Sequence, residues 1–358
     1  MKNYKIAVLP GDGIGPEIIE QALKVVKAIG KRMDIQFSFE SALVGACAID
    51  KTGNPLPEET LNLMFNSDAV LFGAIGDPKY DNDPTAKVRP EQGLLKMRKE
   101  LGLFANLRPV QTFKTLVDKA PIKKEIVDGV NFLVFRELTG GIYFGKKGRS
   151  EENGVVSAYD TMLYTKDEII RITKLAFESA AARKKKVTMV DKANVLESSR
   201  LWRETVQEYS KNFPDIQVEY MFVDNAAMQI ILNPKQFDVI LTENMFGDII
   251  TDEASVISGS LGMLPSASIG IHTSVFEPIH GSYPQAAGKN IANPIGTILS
   301  TAMMFEYAFN LPSAGELIRK AVNQSLENEI VTVDITKGKA YSTSEVGDWI
   351  ANFILTDK

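Results

Sequence analysis

Short apolar runs and segments with helical spacing alternate along most of the chain. About four to eight mainly apolar residues in a row are typical of a buried strand, whereas apolar residues at every third or fourth position are typical of an amphipathic helix. We predict strands at 6–9, 34–41, 69–72, 131–138, 187–190, 216–223, 237–241 and 268–272. We predict helices at 17–29, 57–66, 91–102, 166–183, 196–212, 295–309, 313–327 and 344–356. This alternation indicates an α/β protein.

Residues 142–165 interrupt the alternation. Strand-like pieces at 143–144 and 155–159 flank a polar tip at 146–153. Because the segment is too long for a minimal hairpin, we expect a projecting arm. Arms that expose apolar strand faces usually pair with another subunit, so the segment also predicts a dimer.

A glycine loop at 10–16 follows the first predicted strand. Its spacing is GxGxG, whereas the dinucleotide-binding fingerprint of the Rossmann fold is GxGxxG. No acidic residue ends a clear second strand about 20 residues further on, as that fingerprint requires. A Rossmann fold is therefore only weakly indicated.

Composition narrows the class of protein. With 358 residues the chain exceeds what one hydrophobic core usually serves, so we expect two domains. A net charge of −5 and a pI of about 5.4 argue against nucleic acid or an anionic membrane as the main partner. The only cysteine is Cys47, so no disulfide can form within the chain. No run approaches the ~20 apolar residues of a membrane helix, and residues 6–9 are too few for the core of a signal peptide, so we expect a cytoplasmic protein.

Two aspartates, Asp248 and Asp252, follow the predicted strand at 237–241. Their spacing of four places them on one face of a helix, where two like charges repel unless a positive group lies between them. Mg²⁺ takes carboxylate oxygens as ligands, and open α/β sheets bind ligands at the carboxyl ends of strands. The alternative interpretation is an ordinary acidic first turn of a helix.

Three arginines, Arg98, Arg108 and Arg136, lie near the ends of predicted elements. The planar guanidinium group suits two-point binding of a carboxylate. For a single arginine a surface ion pair is the more common role. Arg108 lies in an apolar run and Arg136 ends a buried strand, so an anion-binding role is harder to dismiss for these two.

Two further side chains could move protons. Lys192 follows the strand at 187–190, and lysine acts as a general base when its neighbours lower its pKa. Tyr143 follows the glycine pair at 140–141 and could donate a proton, although tyrosines are more often packed aromatic groups.

Four strings of residues carry a family resemblance. They are GDGIGPE at 11–17, RELTGGIY at 136–143, DKAN at 191–194 and NMFGDIITD at 244–252. Together they resemble the β-decarboxylating dehydrogenases, the isocitrate and isopropylmalate dehydrogenase family, and most of all its isopropylmalate branch. The resemblance spans essentially the whole chain in order.

The resemblance implies an isocitrate/isopropylmalate dehydrogenase-like fold, which is α/β with two domains and large mixed sheets and is not a Rossmann fold. By this resemblance, residues 1–103 and 260–358 form a discontinuous cofactor-binding domain. Residues 104–259 form the second domain, with substrate and metal residues, the dimer interface and the arm at 142–165.

The resemblance also implies roles for individual residues. Arg98, Arg108 and Arg136 would bind the carboxylates of the substrate. Asp248 and Asp252 would bind Mg²⁺ or Mn²⁺, joined by Asp224 of a second subunit, which also contacts the substrate. Lys192 of the second subunit would take the hydroxyl proton, and Tyr143 would handle the proton that replaces CO₂. The active sites of a homodimer would thus be shared.

The residues before Arg98 bear on the substrate. Leu94 and Leu95 suit an isopropyl group, whereas an isocitrate enzyme would need polar groups for a further carboxylate; either leucine could instead be core. The implied reaction is oxidative decarboxylation of (2R,3S)-3-isopropylmalate to 4-methyl-2-oxopentanoate with reduction of NAD, a step of leucine biosynthesis. The alternative enzyme acts on tartrate, malate or another 3-alkylmalate. A regulatory protein that only binds a metal ion and an anion is disfavoured, because it would need neither a general base such as Lys192 nor a proton donor such as Tyr143.

Residues 277–294, here called the adenosine loop, resemble the family's adenosine-binding loop. The implied cofactor residues are Gly76, Asp77, Pro78, Glu91, Asn194, Glu277, His280, Gly281, Ser282, Tyr283, Pro284, Gln285, Ala286, Gly288 and Asn293. Members that use NAD usually carry aspartate at the position of Gln285 and alanine at that of Tyr283. Because Lys289 is the only cation near a 2′-phosphate position, we expect NAD to be preferred over NADP, with weaker discrimination.

Overall fold

The computed structural model describes residues 3–83 and 85–357. The chain forms two compact units. The first takes residues up to Leu103, Phe113–Ala120 and the residues from Ser258 onwards, and the second takes Phe104–Thr112 and Pro121–Ile257. The predicted domain boundaries, at 103/104 and 259/260, place residues 113–120 in the second domain, whereas the structure places them in the first unit. Met1, Lys2, Pro84 and Lys358, which that expectation included, lie outside the described residues.

Most strands and helices that the apolar pattern predicts occur in the structure, in the same order along the chain. The strands are β1 (Asn3–Gly11), β2 (Gln36–Ser41), β3 (Ala69–Ala74), β4 (Leu103–Gln111), β5 (Asn131–Glu137), β6 (Lys147–Glu152), β7 (Val155–Asp160), β8 (Lys186–Asp191), β9 (Gln217–Phe222), β10 (Val239–Thr242), β11 (Pro265–Gly270) and β12 (Val275–Pro278). The helices are α1 (Gly15–Met33), α2 (Ala46–Thr52), α3 (Glu58–Phe65), α4 (Pro78–Asp81), α5 (Pro90–Glu100), α6 (Lys124–Val127), α7 (Lys166–Ala181), α8 (Glu197–Ser210), α9 (Val223–Leu232), α10 (Asn244–Ser255), α11 (Ile295–Tyr307), α12 (Pro312–Glu327) and α13 (Thr343–Thr356).

The sheet of the first unit has the strand order β2-β1-β3-β12-β11. β1 pairs in parallel with β2 and β3, β12 pairs in parallel with β3, and β11 runs antiparallel to β12. Every residue of β3 is buried, as expected for a continuous apolar strand inside a sheet. The sheet is therefore mixed, as the family resemblance implied.

The sheet of the second unit has the order β4-β5-β10-β8-β9. β5, β10, β8 and β9 are mutually parallel, and β4 is antiparallel to β5. The carboxyl ends of β5, β10 and β8 therefore meet at one edge, where Thr242 pairs with Arg136 on one side and Val190 on the other. Ligand sites of open α/β sheets lie at such an edge.

The structure corrects several local predictions. β6 and β7 form a hairpin with a two-residue turn at Asn153 and Gly154, whose φ angles of 53° and 77° are those of a type I′ turn. The predicted polar tip is thus mostly strand, and the expectation that the segment is too long for a minimal hairpin was wrong. Tyr143 lies in the short 3-10 turn Gly141–Tyr143, not in a strand.

Other elements were not predicted at all. β4 carries Arg108 and Pro109, which break its apolar pattern, and β12 and α2 are short. No helix formed by the described residues is long and apolar enough to cross a membrane.

Candidate active site

Asp248 and Asp252 lie on α10, which directly follows β10, and their spacing of four places them on one side of the helix. The side chain of Asp252 is 71% exposed and that of Asp248 is 35% exposed. Gly247 lies between them and the strand, and a Cβ there would come 2.6 Å from the side chain of Arg136. Glycine therefore allows α10 to pack closely against the end of β5.

Arg136 is the centre of the predicted cluster. Its side chain is 2% exposed, and its Nη1 donates to Oδ1 of Asp248. Oδ1 of Asn244 accepts from Nε at 3.1 Å and from Nη2 at 2.9 Å. The hydroxyl of Tyr143 donates to the other oxygen of Asp248 at 2.8 Å. The structure thus brings together the predicted anion-binding arginine, proton donor and metal ligand.

Arg108 reaches the same helix from β4. Its Nη1 lies 3.3 Å from Oδ1 of Asp252, and its Nη2 lies 3.8 Å from Oδ1 of Asp248. Oδ1 of Asn106 and the hydroxyl of Thr251 hold the guanidinium in place, at 2.7 and 2.6 Å. Two nearly buried arginines therefore balance the two aspartates, which explains how like charges can lie on one helix face.

The donor set fits a hard divalent cation in part. Mg²⁺ and Mn²⁺ prefer carboxylate and water oxygens, and Asp248 and Asp252 supply two carboxylates on one face. No group of three or more His, Cys, Asp and Glu side chains that could hold a metal occurs among residues 3–83 and 85–357.

Lys192 and Asp224 form a separate pair in the same unit. Nζ of Lys192 lies 2.8 Å from Oδ1 of Asp224. The hydrogen bond from Lys192 holds the pKa of the Asp224 carboxyl below its usual range. Asp224 lies in the first turn of α9, which begins at Val223.

A buried acid supports the loop that carries Lys192. The hydroxyl of Ser199 accepts from the backbone N–H of Lys192 at 3.1 Å and donates to Oε1 of Glu243. Glu243 is completely buried, and its Oε2 has no hydrogen-bond partner among the described residues. Burial, with a smaller contribution from Asp191, raises the pKa of Glu243 to about 7.

A cavity of 470 Å³ opens beside the adenosine loop in the first unit. This volume is typical of small-molecule sites. The apolar walls include Ile14, Leu261 and Ile291, and the polar groups include Asn293 and Asp334; the predicted residues His280, Gly281 and Tyr283 also line it. Apolar walls with a few convergent polar groups fit part of a nucleotide cofactor.

The imidazole of His280 lines this cavity. Burial lowers its pKa, and Nδ1 lies 3.0 Å from the carbonyl oxygen of Gly281. Nε2 has no hydrogen-bond partner among the residues that the structure describes. Nε2 is therefore available to a polar group of a ligand.

The other predicted cofactor residues occupy different settings. A Cβ at Gly76 would lie 3.4 Å from Glu91 and 3.7 Å from the hydroxyl of Ser282, so these three residues are neighbours. The carboxylate of Asp12 accepts from the N–H of Gly76 at 2.9 Å. Asp77 caps α4, which begins at Pro78. Pro284 begins a 3-10 turn, and Glu277 lies on β12. The side chains or backbones of the remaining three are exposed: Gln285, Gly288 and Asn194.

On α5 the predicted substrate residues are not core. Leu94, Leu95 and Arg98 are half-buried, whereas Met97 is completely buried and packs the helix against its unit. Neither leucine is fully buried. Their partial exposure leaves them available for a ligand.

The chain belongs to the isocitrate/isopropylmalate dehydrogenase family, whose sequence profile matches residues 5–350. It is 58% identical to the 3-isopropylmalate dehydrogenase of Bacteroides fragilis over 354 residues, which cover 98% of this chain and 99% of that protein. It is 56% identical to the 3-isopropylmalate dehydrogenase of Geobacillus kaustophilus, with 99% and 96% covered. The predicted family and fold class are confirmed, and membership implies a nucleotide cofactor and a metal ion.

Solved structures agree with this assignment. The isocitrate dehydrogenase from Methylococcus capsulatus superposes on this chain with a TM-score of 0.88 and is 33% identical to it. The match covers 99% of this chain and 100% of that chain. The β-decarboxylating dehydrogenase from Thermococcus kodakarensis has a TM-score of 0.80 and 38% identity, with 98% and 96% covered.

Several residues of the site were missed in the sequence. Asn244 lies four residues before Asp248 in the same quoted string, so helical spacing could have indicated it. Asn106 precedes Arg108 by two residues on β4, but that strand was not predicted. Asp334 and Leu261 lie far from the predicted motifs, and no local pattern marks them as cavity residues.

Proposed function

We propose that the chain oxidises and decarboxylates (2R,3S)-3-isopropylmalate to 4-methyl-2-oxopentanoate with reduction of NAD, as a step of leucine biosynthesis. The observation that carries the proposal is the convergence of Tyr143 and Arg136 on Asp248, one helical turn before Asp252. A proton donor, an anion-binding group and two metal ligands are the parts that this reaction needs. The names of the relatives from Bacteroides fragilis and Geobacillus kaustophilus support the choice of substrate.

In this proposal Arg98, Arg108 and Arg136 bind the carboxylates of the malate group. Asn106, Thr251 and Asn244 hold two of these guanidinium groups before substrate arrives. Pre-oriented donors lose little entropy on binding, which favours a defined orientation of the substrate.

Asp248 and Asp252 hold a divalent cation together with the partner subunit's Asp224, which also touches the substrate. When bound, such a cation supplies Lewis-acid stabilisation of negative charge on the substrate oxygen. The exposure of Asp252 and of Asp224, whose side chain is 67% exposed, supports their availability to a ligand.

Proton transfer falls to two residues. The partner subunit's Lys192 takes the proton of the substrate hydroxyl as hydride leaves for the nicotinamide. Tyr143 then delivers a proton to the carbon that has lost CO₂, and its hydrogen bond to Asp248 orients the phenol for that step.

The first unit takes the nucleotide in this scheme, in the cavity beside the adenosine loop. NAD is preferred over NADP, because Lys289 is the only cation in residues 277–294 and Gln285 can still bind a ribose hydroxyl. The discrimination between NAD and NADP is weaker than in an enzyme with aspartate at that position, and Gln285→Asp increases the preference for NAD. A higher kcat/KM with NADP than with NAD would overturn this assignment.

Exposed apolar residues on two helices support a homodimer. Met228 and Leu232 on α9 and Ile249 on α10 are more than half exposed, close in sequence to Asp224 and Asp248. Exposed apolar patches of this kind mark interaction surfaces. A second copy of the chain that covers them also brings its Lys192 and Asp224. The cytoplasmic location stays a prediction.

The test is reduction of NAD by purified protein supplied with 3-isopropylmalate, D-malate or tartrate at equal concentrations. We expect the highest rate with 3-isopropylmalate, loss of activity with EDTA and recovery with Mg²⁺ or Mn²⁺. Higher kcat/KM with tartrate or malate would favour the alternative enzyme. No turnover of any acid, with a cation and nucleotide still bound, would favour a regulatory binding protein.

A further inference from the structure

The glycine loop after β1 is engaged with the adenosine loop. The backbone N–H of Ile14 donates to the carbonyl oxygen of Ser282 at 2.8 Å. Gly13 has a φ of 58°, and a Cβ there would lie 1.9 Å from that carbonyl oxygen, so no other residue fits without displacing the loop. The GxGxG spacing that resembles a nucleotide fingerprint is thus explained by a close contact between two backbone segments.

Glu17 makes a second contact, one helical turn further on. Its carboxylate accepts from the N–H of Gly288 and, at 3.1 Å, from the N–H of Asn290. Gly288 and Asn290 both have left-handed backbones, with φ of 74° and 55°. Turns of this kind point neighbouring N–H groups towards one anion, and here the anion is a side chain of the protein itself.

Apolar packing joins the same two segments. Ile14 and Ile18 form a buried cluster with Ala286 and Ala292. Ile14 is also part of the cavity wall, together with residues of the adenosine loop on both sides of the Glu17 contacts. Displacement of the loop at 288–290 therefore changes the wall of the cavity.

We propose that Glu17 is a positioning residue for nucleotide binding: by holding Gly288 and Asn290 it fixes the adenosine loop in the conformation that forms the cavity wall. This inference rests on the proposed function, which makes the cavity the nucleotide site. The competing explanation is that Glu17 only stabilises the positive end of α1 as a first-turn acid. In that case nucleotide binding would not respond to its replacement.

The test compares Glu17→Gln with the control Glu20→Gln in the intact protein. Glu20 lies on the exposed side of the same helix and forms an ion pair with Lys24, at 3.8 Å. Glu17→Gln keeps the volume but removes the charge and one acceptor, so we expect the Kd and KM for NAD to rise on the order of tenfold. The kcat and the KM for 3-isopropylmalate at saturating NAD should stay within about twofold, and Glu20→Gln should resemble wild type in all four quantities.

Glu17→Asp provides a second variant that keeps the charge at a shorter reach, and an intermediate rise in Kd is expected. If Glu17→Gln does not fold, Glu17→Asp is used for the same measurements. Unchanged Kd for NAD in a folded variant of Glu17, with an active wild type, overturns the positioning role and leaves the proposed function intact. An equal fall in kcat and in affinity for both substrates also overturns it, since that pattern indicates general damage. A wild-type protein that binds neither NAD nor NADP overturns both.

Discussion

Glu243 is a buried acid whose protonation is linked to folding. Its pKa in the folded protein, raised from an ordinary value of 4.5 to about 7, means that the folded chain binds a proton more tightly than the unfolded chain. The stability that this proton contributes is present in full below about pH 4.5 and is lost as the pH rises through about 7. Glu243 and its partners therefore favour the folded state most at acidic pH.

Glu243→Gln should remove this dependence. Between pH 5 and pH 7.5, the free energy of unfolding of wild type should fall by about 1–3 kcal/mol more than that of the variant. Urea denaturation at several pH values measures the difference. Glu197→Gln, at an exposed position in the first turn of α8, serves as the control and should leave the slope unchanged. Parallel curves for wild type and Glu243→Gln would show that Glu243 keeps an ordinary pKa.

Leu94 is the residue on which substrate choice is expected to depend. Leu94→Ala should lower kcat/KM for 3-isopropylmalate by about 1–3 kcal/mol in transition-state binding, because apolar contact with the isopropyl group is lost. D-malate has no alkyl group and should be turned over nearly as well as by wild type. Met97→Ala, which opens the core on the same helix, should instead lower the melting temperature. Equal losses for both acids with Leu94→Ala would exclude a role in specificity.

At the scale of elements, the sequence predicted what is locally periodic. Helices such as α7, with its Thr165 and Glu168 capping box, were predicted almost to the residue, since both the apolar spacing and the cap lie within one segment. β4 was missed because Arg108 and Pro109 interrupt its apolar run. Its pairing with β5 compensates for that interruption, and pairing between distant segments is invisible to a local pattern.

The candidate site follows the same rule. The aspartate pair on α10 was predicted from spacing, and Arg136 from its place at a strand end. Asn244 was missed because its role depends on two hydrogen bonds to Arg136 and one to the carbonyl of Gly140. Only the folded chain brings these groups together.

The hairpin β6–β7 gives a prediction about assembly. Val155, Val156 and Tyr159 are each more than half exposed, and Val156 pairs with Glu151 across the ladder. Val156→Lys should keep the hairpin, because lysine faces an opposite charge, but should disfavour a dimer that buries this strand. Sedimentation at micromolar concentration should show a shift towards monomer. The control Leu355→Lys, at an exposed apolar residue of α13, should remain dimeric. A dimer of unchanged stability in Val156→Lys would place the interface elsewhere.

At the scale of the whole molecule, the proposed sharing of sites between chains can be tested by mixing. Lys192→Ala and Asp252→Ala should each inactivate a homodimer. Unfolded and refolded together in equal amounts, about half of the dimers should be mixed, and each mixed dimer should hold one site with intact lysine and intact aspartates. Activity should return to about a quarter of wild type per chain. A mixture that stays inactive after subunit exchange has been verified would place Lys192 and Asp252 in the site of one chain.

The division of the first unit between the two ends of the chain determines when it can fold during synthesis. When translation reaches Ile257, every residue of the second unit exists, whereas β3 still lacks its neighbour β12 and α1 lacks α13, against which it packs. The common order, in which the N-terminal part of a protein folds first on the ribosome, is therefore reversed. Limited proteolysis of a chain that ends at Ile257 should cleave residues before Leu103 rapidly and spare the second unit. Until α13 has been synthesised, the apolar face of α1, with Ile18, Ile19 and Ala22, lacks that partner, and we expect chaperones to bind it.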